Sequence, residues 1–514
     1  MARLGLDRKT VLLLFLFLAL ISLPYIFAAL SAGPDQAFGG FLINYQDGYS
    51  YLGKMRQGFD GHWLFRPDYT VRQSAGALIN LPYVLIGQLA RLGGPLIVWL
   101  HSFRILHAML LFFSLKRFIN VLIQDDATRW RALSLALFGS GMGWLLLGRA
   151  ELPPDFWVAE AYPFLSSYTN VHFPLGLALQ LWLLTPNEDQ PNWREALSLA
   201  LGAATLGLVS AFSVPVVLAV WGGIFMLKLL ARDDVWSVVR RGAAITLGGG
   251  LVIAYDYWVI LRDPVLADWN GQNLTPSPPI WELLLAFAPA LLAAAYGLLR
   301  SKQRHSPEMR LLTAWAVMIP ILVYLPFPLQ RRFLVGYSIP VAILAVMVVH
   351  EWVKPERQRM VWRVVFGLAL PTNILILLSG MAAAFNHPPE AYLATYEVDA
   401  FRWMEQHLME LSAQPAVLAA PETGLLLPAY TGATVLYGHP FESYQGASMK
   451  PLVEAAYAES DISLLEDFPE IDFVYVGPRE DALCGEGGCD FSAFDNLTLV
   501  YKNGFVTLYH VADE

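Results

Sequence analysis

The densest set of ionisable side chains lies at 39–72, GGFLINYQDGYSYLGKMRQGFDGHWLFRPDYTVR, which carries Asp47, Lys54, Arg56, Asp60, His62, Arg66, Asp68 and Arg72. Asp47 stands just before a helix-like run in which Leu52, Met55 and Phe59 recur at i, i+3 and i+7. An aspartate at or near a helix N-terminus has two uses. It caps the helix, or it acts as a general base that takes the proton of an attacking hydroxyl. Two more carboxylates, Asp155 and Glu160, lie in the stretch DFWVAEAYPF, rich in proline and aromatic residues. One of them can approach Asp47 and orient a nucleophile, or the acids can share a divalent metal ion through oxygen ligands. The plainer reading is a solvated loop that Trp157 and Tyr162 anchor at a lipid interface. His172, with Asn170 beside it, is either a hydrogen-bonded structural residue or a contact to a sugar or phosphate. Arg104 falls inside an apolar run and must face a partner or a cavity. No Cys/His set suits a structural zinc. The metal question is therefore one of carboxylates (Asp47, Asp155, Glu160) and stays open.

The elements that must position these residues are membrane helices. The chain has 514 residues, 56% hydrophobic and 15% charged, against about 25% charged in soluble domains. Repeated apolar runs of roughly 20 residues imply an α-helical polytopic membrane protein. The net charge of −9 says little, because the acids concentrate toward the C-terminus, and no basic patch suggests nucleic acid. Arg3, Arg8 and Lys9 precede an apolar run at 11–30, longer than the roughly 7–15-residue core of a signal peptide. The expectation is an uncleaved first span. The bias of basic residues toward the cytoplasm then puts the N-terminus inside and the Asp47 loop outside.

The run at 75–92 breaks the alternation. The next run, 95–115, ends at Lys116 and Arg117, followed by Arg129 and Arg131, which read as cytoplasmic. Parity returns if 75–92 lies along the outer surface, bent at Pro82 and at the Gly-Gly-Pro of 93–95. Spans at about 130–148, 168–185, 242–260, 281–299, 311–326, 334–349 and 364–384 follow, and 195–230 forms two more with a turn near 210–215. This gives about eleven spans and an external C-terminus. Arg331 and Arg332 then sit in a short outer loop, against the orientation bias.

Composition changes near residue 386, which divides a membrane part, 1–385, from an extracytoplasmic α/β domain, 386–514. AVLAA, TVLYG and DFVYVG read as short buried strands and EVDAFRWMEQHLMEL as an amphipathic helix. TLVYKNGFVTLYHV reads as a hairpin across Asn503 and Gly504. Cys484 and Cys489 bracket a Gly-rich loop, either as a disulfide, plausible outside the cytosol, or as two thiols.

Several stretches together resemble the GT-C superfamily of membrane glycosyltransferases. An Asp shortly after the first span, followed by a Tyr-containing helix, is matched by Asp47 and GYSYLGKMRQG. LINLPYVLIGQLARLGG resembles the family's juxtamembrane segment, and Arg104 in HSFRILHAML a frequent family arginine. WVAEAYPF with TNVHFPLGLAL looks like the second acidic motif and its span, and LPFPLQRRFLVGYSIP like the late loop that handles lipid phosphate. Gly48 stands where the family often has a second acid, and Asn170 and His172 where its second motif often has an Asp.

The resemblance implies a glycosyltransferase that moves a sugar from a polyprenyl-phosphate-linked donor in the membrane lipid to an extracytoplasmic acceptor. Asp47 would be the general base and Glu160 a second catalytic acid. Arg331 and Arg332 would meet the donor phosphate, with Lys54, Arg56, Arg104 and His172 as further substrate contacts. Arginine suits phosphate because its planar fork binds two oxygens at once. A transporter or flippase of lipid-linked sugar, and a non-catalytic subunit of an envelope-glycan machine, are the alternatives. The sequence sets no oligomeric state.

Overall fold

The computed structural model describes residues 7–186, 191–300, 306–491 and 494–512. Arg3 and parts of two loops expected in the cytoplasm, 187–190 and 301–305, lie outside the described residues. Among the described residues six helices are long and apolar enough to cross a membrane: Arg8–Ser31, Leu96–Leu122, Ser213–Ala231, Trp236–Arg262, Gln330–Trp352 and Pro355–Asn386. A further pair, Ile280–Phe287 and Ala290–Leu299, is bent by 93°. The chain is an integral, multi-pass membrane protein.

The chain divides into two compact units. The first comprises Met1–Pro24, His101–Tyr255 and Thr275–Ala382. At its centre is Gln330–Trp352, 89% of whose apolar window is buried, against 28–39% for the other five long helices. Its Ser338–Trp352 portion packs against the helices Asp126–Phe138, Ala290–Arg300 and Pro307–Val323.

Where the sequence pattern suggests one span at 130–148, the helix stops at Phe138. Residues 139–170 instead form a chain of short turns and helices, including Gly143–Leu146, Pro154–Trp157, Ala159–Ala161 and Pro163–Thr169. Its DFWVAEAYPF part is packed rather than a solvated loop: Val158, Ala161, Tyr162 and Phe164 are buried, as is Leu165 after it. The turn expected near 210–215 is present, between helices Trp193–Val209 and Ser213–Ala231.

The second unit comprises Tyr25–Leu100, Asp256–Leu274 and Ala383–Glu514. Its 75–92 segment forms only the helix Leu81–Ala90, 10 residues with Pro82 in the first turn. At 1.5 Å per residue that is about 15 Å, half a bilayer core. It lies on the helix that carries Asp47, Tyr45–Phe59. The approach is backbone to backbone: a Cβ on Gly58 would sit 2.1 Å from Val84 O, and one on Gly87 1.9 Å from Met55 O. No larger residue fits at either position.

Strands β1 (Gln36–Phe38) and β2 (Tyr392–Ala394) pair antiparallel. A five-stranded sheet combines β3 (Ala416–Leu418), β4 (Thr434–Val435), β5 (Phe473–Val476), β6 (Leu497–Lys502) and β7 (Thr507–Val511) in the order β4-β3-β5-β7-β6. β3 runs parallel to β4 and β5, while β7 is antiparallel to β5 and β6. The expected amphipathic helix is Thr395–Leu411. The hairpin turns one residue later than expected. Asn503 N–H donates to Val506 O (3.1 Å), so Gly504 and Phe505 are the central residues, with Gly504 at φ +93°. Glycine is suited to that first central position. Cys484 and Cys489 form a disulfide.

Glu480 is fully buried, and its two oxygens accept from Ala420 N–H (2.9 Å) and Gly477 N–H (3.0 Å). Burial pushes its carboxyl up to about 7, against the pull of these hydrogen bonds. A folded-state value above the unfolded one means the native state holds the proton more tightly. The resulting stability is fully present below the ordinary value of 4.5 and is lost as pH rises through about 7. Glu480→Gln is therefore expected to flatten the fall in melting temperature between about pH 5 and pH 8, while lowering stability at every pH because one backbone N–H loses its acceptor. Melting curves with the wild-type pH slope would refute the assignment.

Candidate functional site

The Asp47 helix enters from Asn44, which holds the left-handed conformation at φ +54° and donates through Nδ2 to Asp47 Oδ2 (2.7 Å). The other carboxylate oxygen lies 3.4 Å from His439 Nε2. His439 is buried, and its Nδ1 accepts from Phe441 N–H (3.2 Å). A ring nitrogen that accepts carries no proton, so in the neutral imidazole the proton sits on Nε2 and faces Asp47. Ser443 Oγ donates to His439 O (2.7 Å) and accepts from Gly438 N–H (3.1 Å), which closes the loop on itself.

The same loop meets the helix again further along. Asp47, Ser50 and Lys54 recur at i, i+3 and i+7 and share one face. Lys54, 3% exposed at its side chain, donates to Glu442 Oε1 (2.8 Å) and Ser50 Oγ (2.7 Å), and Ser50 Oγ donates to Glu442 Oε2 (2.8 Å). Burial would raise the Glu442 carboxyl, but the charge of Lys54 and the hydrogen bonds from Lys54 and Ser50 help to outweigh it and hold it below the usual range. Arg56 pairs with Asp60 and Glu405. Asp68, beside Gln57, is pushed up to about 7 by burial. Lys54 and Arg56, both expected as phosphate contacts, thus already hold carboxylates.

The first unit holds a second constellation. Glu160, 3% exposed, sits in the turn Ala159–Ala161, with Arg332 Nη1 at 3.5 Å and Arg331 Nε at 4.0 Å from its Oε1. The Arg331 guanidinium lies 4.4 Å from the Trp157 ring centroid and that of Arg332 5.7 Å from Phe212. Two backbone bonds fix the arginine loop: Arg331 N–H donates to Thr275 O (3.0 Å) and Gly336 N–H to Glu160 O (2.9 Å). Both arginines are thus paired with a buried carboxylate.

Asp155 Oδ2 accepts from Gly143 N–H (3.1 Å) and Thr372 Oγ1 (2.8 Å). A Cβ on Gly143 would lie 1.9 Å from Asp155 Oδ1, so the position admits only glycine. Burial pushes the Asp155 carboxyl up to about 6. Arg104, buried, donates through Nη1 to Ile21 O (2.8 Å) and Ser167 O (3.0 Å), bracing the helix Pro163–Thr169. His172 begins the helix His172–Leu184, and its ring lies 4.1 Å from that of Phe173, tilted by 49°. Asp155 Oδ1 and Glu160 Oε1 are buried oxygens without a hydrogen-bond partner, the donor type that hard cations take. Among the described residues, however, no three ligating side chains come together. No chemical step is routed through a metal.

Sequence reasoning missed His439 and Glu442. Their only local signal is a histidine and a glutamate three apart in the otherwise apolar and aromatic TVLYGHPFESY.

No protein-family model and no curated protein matches the chain. Solved structures do. The Archaeoglobus fulgidus oligosaccharyltransferase, in complex with zinc and sulfate, aligns at a TM-score of 0.54 and 11% identity over 97% of this chain and 73% of its own. The same organism's oligosaccharyltransferase AglB, in complex with an inhibitory peptide and a dolichol-phosphate, aligns at 0.51 and 12% over 90% and 69%. ArnT from Cupriavidus metallidurans, bound to undecaprenyl phosphate, aligns at 0.52 and 12% over 96% and 97%. The chain has a GT-C fold. At these identities the likeness is one of architecture. In this fold the Asp47 helix follows the first span and the Glu160 turn precedes the helix His172–Leu184, the order that the sequence resemblance implied.

The Lys54–Glu442 pair makes a direct test of how the Asp47 helix is held. Removing one partner of a buried pair typically costs about 3–5 kcal/mol, and the 14% exposure of Glu442 discounts that somewhat. Lys54→Met should lower the melting temperature of the purified protein sharply, and Lys54→Met with Glu442→Gln should recover part of the loss. A double variant no more stable than Lys54→Met would mean that the unpaired carboxylate is not what destabilises.

Proposed function

We propose that the protein is a membrane glycosyltransferase that transfers a sugar from a polyprenyl-phosphate-linked donor to an acceptor on the extracytoplasmic side. The observation that carries this reading is the GT-C fold, spanning 90–96% of the chain against structures that hold dolichol-phosphate or undecaprenyl phosphate. Residues 1–385 are the catalytic membrane part and 386–514 the extracytoplasmic domain.

Asp47 takes the acceptor's hydroxyl proton as that oxygen bonds to the anomeric carbon and the bond from carbon to the phosphate oxygen breaks. The Asn44 side-chain amide donates to one oxygen of its carboxylate, and His439 Nε2 lies 3.4 Å from the other. Arg331 and Arg332 receive the negative charge that develops on the leaving phosphate. Glu160 aligns the two guanidiniums. Lys54, Arg56 and Arg104 position elements, and His172 is the remaining candidate contact to sugar or phosphate.

Transfer kinetics in nanodiscs test the roles. Asp47→Asn is nearly isosteric but cannot take the proton, so transfer should fall by about 10²–10⁴-fold with the melting temperature held. Arg331→Lys and Arg332→Lys keep the charge and lose the fork. At least one should cost about one to two decades, in donor KM alone if the contact is equal in ground and transition states, and in kcat too if it strengthens with the charge. Transfer by the Asn variant within threefold of wild type would remove Asp47 as base, and unchanged kinetics in both arginine variants would remove the pair from the donor site.

Orientation is tested separately. Single cysteines introduced in place of Asp60 and Pro440 should react with an impermeant maleimide from outside intact cells, and one in place of Leu122 only after permeabilisation. Outside labelling at Leu122 would overturn the assigned orientation.

A further inference from the structure

The three parallel strands of the α/β domain stand in the order β4-β3-β5, although β3 comes first in the chain. The connection from β3 leads one way to β4, and the chain then crosses back to place β5 on the other side. Such a reversal is a topological switch point, and open α/β sheets bind ligands in the crevice outside the carboxyl ends of their strands there. A cavity of about 530 Å³ opens at this place, within the range of roughly 300–1,000 Å³ of small-molecule sites. Each parallel strand contributes to its lining just past its carboxyl end: Glu422 after β3, Tyr437 after β4 and Arg479 after β5. Buried Glu480 ties the loops after β3 and β5 together through Ala420 N–H and Gly477 N–H, which fixes two walls of the crevice. Tyr45 of the Asp47 helix closes another side.

The charges around the cavity define what it can hold. Both cations are already paired, Lys450 with Glu454 (3.7 Å) and Arg479 with Glu397. Glu390 and Glu422, by contrast, have no ion-pair partner among the described residues. Carboxylates only accept hydrogen bonds, so the cavity calls for donors and repels anions. Its tyrosines offer apolar ring surface with a polar tip. A neutral ring bearing several hydroxyls meets all three demands. Tyr45 and Tyr49 lie one turn apart on the side that lines the cavity. Asp47, two residues on from Tyr45, is turned about 160° from it at 100° per residue and does not line the cavity.

We infer that this crevice binds a neutral, hydroxyl-rich saccharide segment. Naming that segment as the part of the acceptor remote from the reacting hydroxyl rests on the function proposed above. The full-length protein in nanodiscs is titrated with neutral di- to tetrasaccharides of glucose, galactose and mannose, with inorganic phosphate and with ethanolamine, and binding is read by saturation-transfer NMR. At least one saccharide should bind, and Glu422→Ala and Tyr45→Ala should each weaken it about tenfold or more while keeping the wild-type melting temperature. Glu390→Gln serves in place of either if that one fails to fold. Asp47→Asn should leave saccharide binding unchanged. The inference is overturned if no saccharide binds, if phosphate or ethanolamine binds in its place, or if binding ignores the cavity substitutions. Transfer that survives Asp47→Asn would overturn the proposed chemistry while leaving this site standing, and saccharide binding lost beside intact Asp47-dependent transfer would do the reverse.

Discussion

A buried ammonium without a counter-charge costs several kcal/mol, and Lys54 carries one in the middle of the helix that presents Asp47. Its answer is Glu442, at 2.8 Å. That single requirement brings the loop of His439 and Glu442 against the helix, and the rest of the second unit is arranged around the result. The loop cannot leave without stranding Lys54, so His439 stays beside Asp47. The opposite constraint comes from Gly58 and Gly87, which let the Leu81–Ala90 helix touch the Asp47 helix backbone to backbone. Tyr51 and Tyr83 stack across that contact at 4.3 Å. The helix Pro421–Thr431 packs against it as well. A short helix, marginal alone, is thereby fixed by tertiary packing.

The first unit meets the same rule with different chemistry. Glu160 is nearly inaccessible, and two guanidiniums face it. Arginine suits this place better than lysine because it is weakly hydrated and its flat group lies well on aromatic rings, as Arg331 does on Trp157. Arg104 donates to backbone carbonyls of two segments. Arginine's five donors make that solution available in an apolar surround. Asp155 relies on a backbone N–H and a threonine hydroxyl instead.

What the sequence disclosed follows from how local each cause is. The Asp47 helix, the strands β3, β4 and β5 and the turn between Val209 and Ser213 rest on periodicity and turn chemistry within a few residues, and they were readable. Helix length was less so. The apolar run at 130–148 continues past Phe138, but the helix ends at Gly139, and Gly141 and Gly143 let the backbone meet Ala286 and Asp155 closely. The arginine pair stood out because it broke the charge bias expected of loops on that side. Its partner Glu160 stood out as an acid among aromatics. The partners of Lys54 could not be read: Glu442 is 388 residues away, and a glutamate in a loop gives no sign that it will be buried. Long-range pairing is where pattern ends and packing decides.

The geometry at Glu160 bears on how an arginine pair could serve a transferred phosphate. Strong charge-assisted bonds between guanidinium and carboxylate lie near about 2.7–2.9 Å, whereas here the separations are 3.5 and 4.0 Å. The carboxylate holds the guanidiniums in place by charge without closing a tight bidentate fork. Two cations against one anion also leave the cluster with one positive charge, counted over these three groups alone. Under the proposed function such an arrangement suits a phosphodiester donor, whose charge is single, and favours it further as the departing phosphate gains charge, because Coulomb energy grows with that charge while the arginines are already oriented. A third cation would bind donor and leaving group alike more tightly and would slow release of the lipid phosphate. Removing Glu160 would therefore be expected to shift binding more than chemistry, the reverse of what a general base would show.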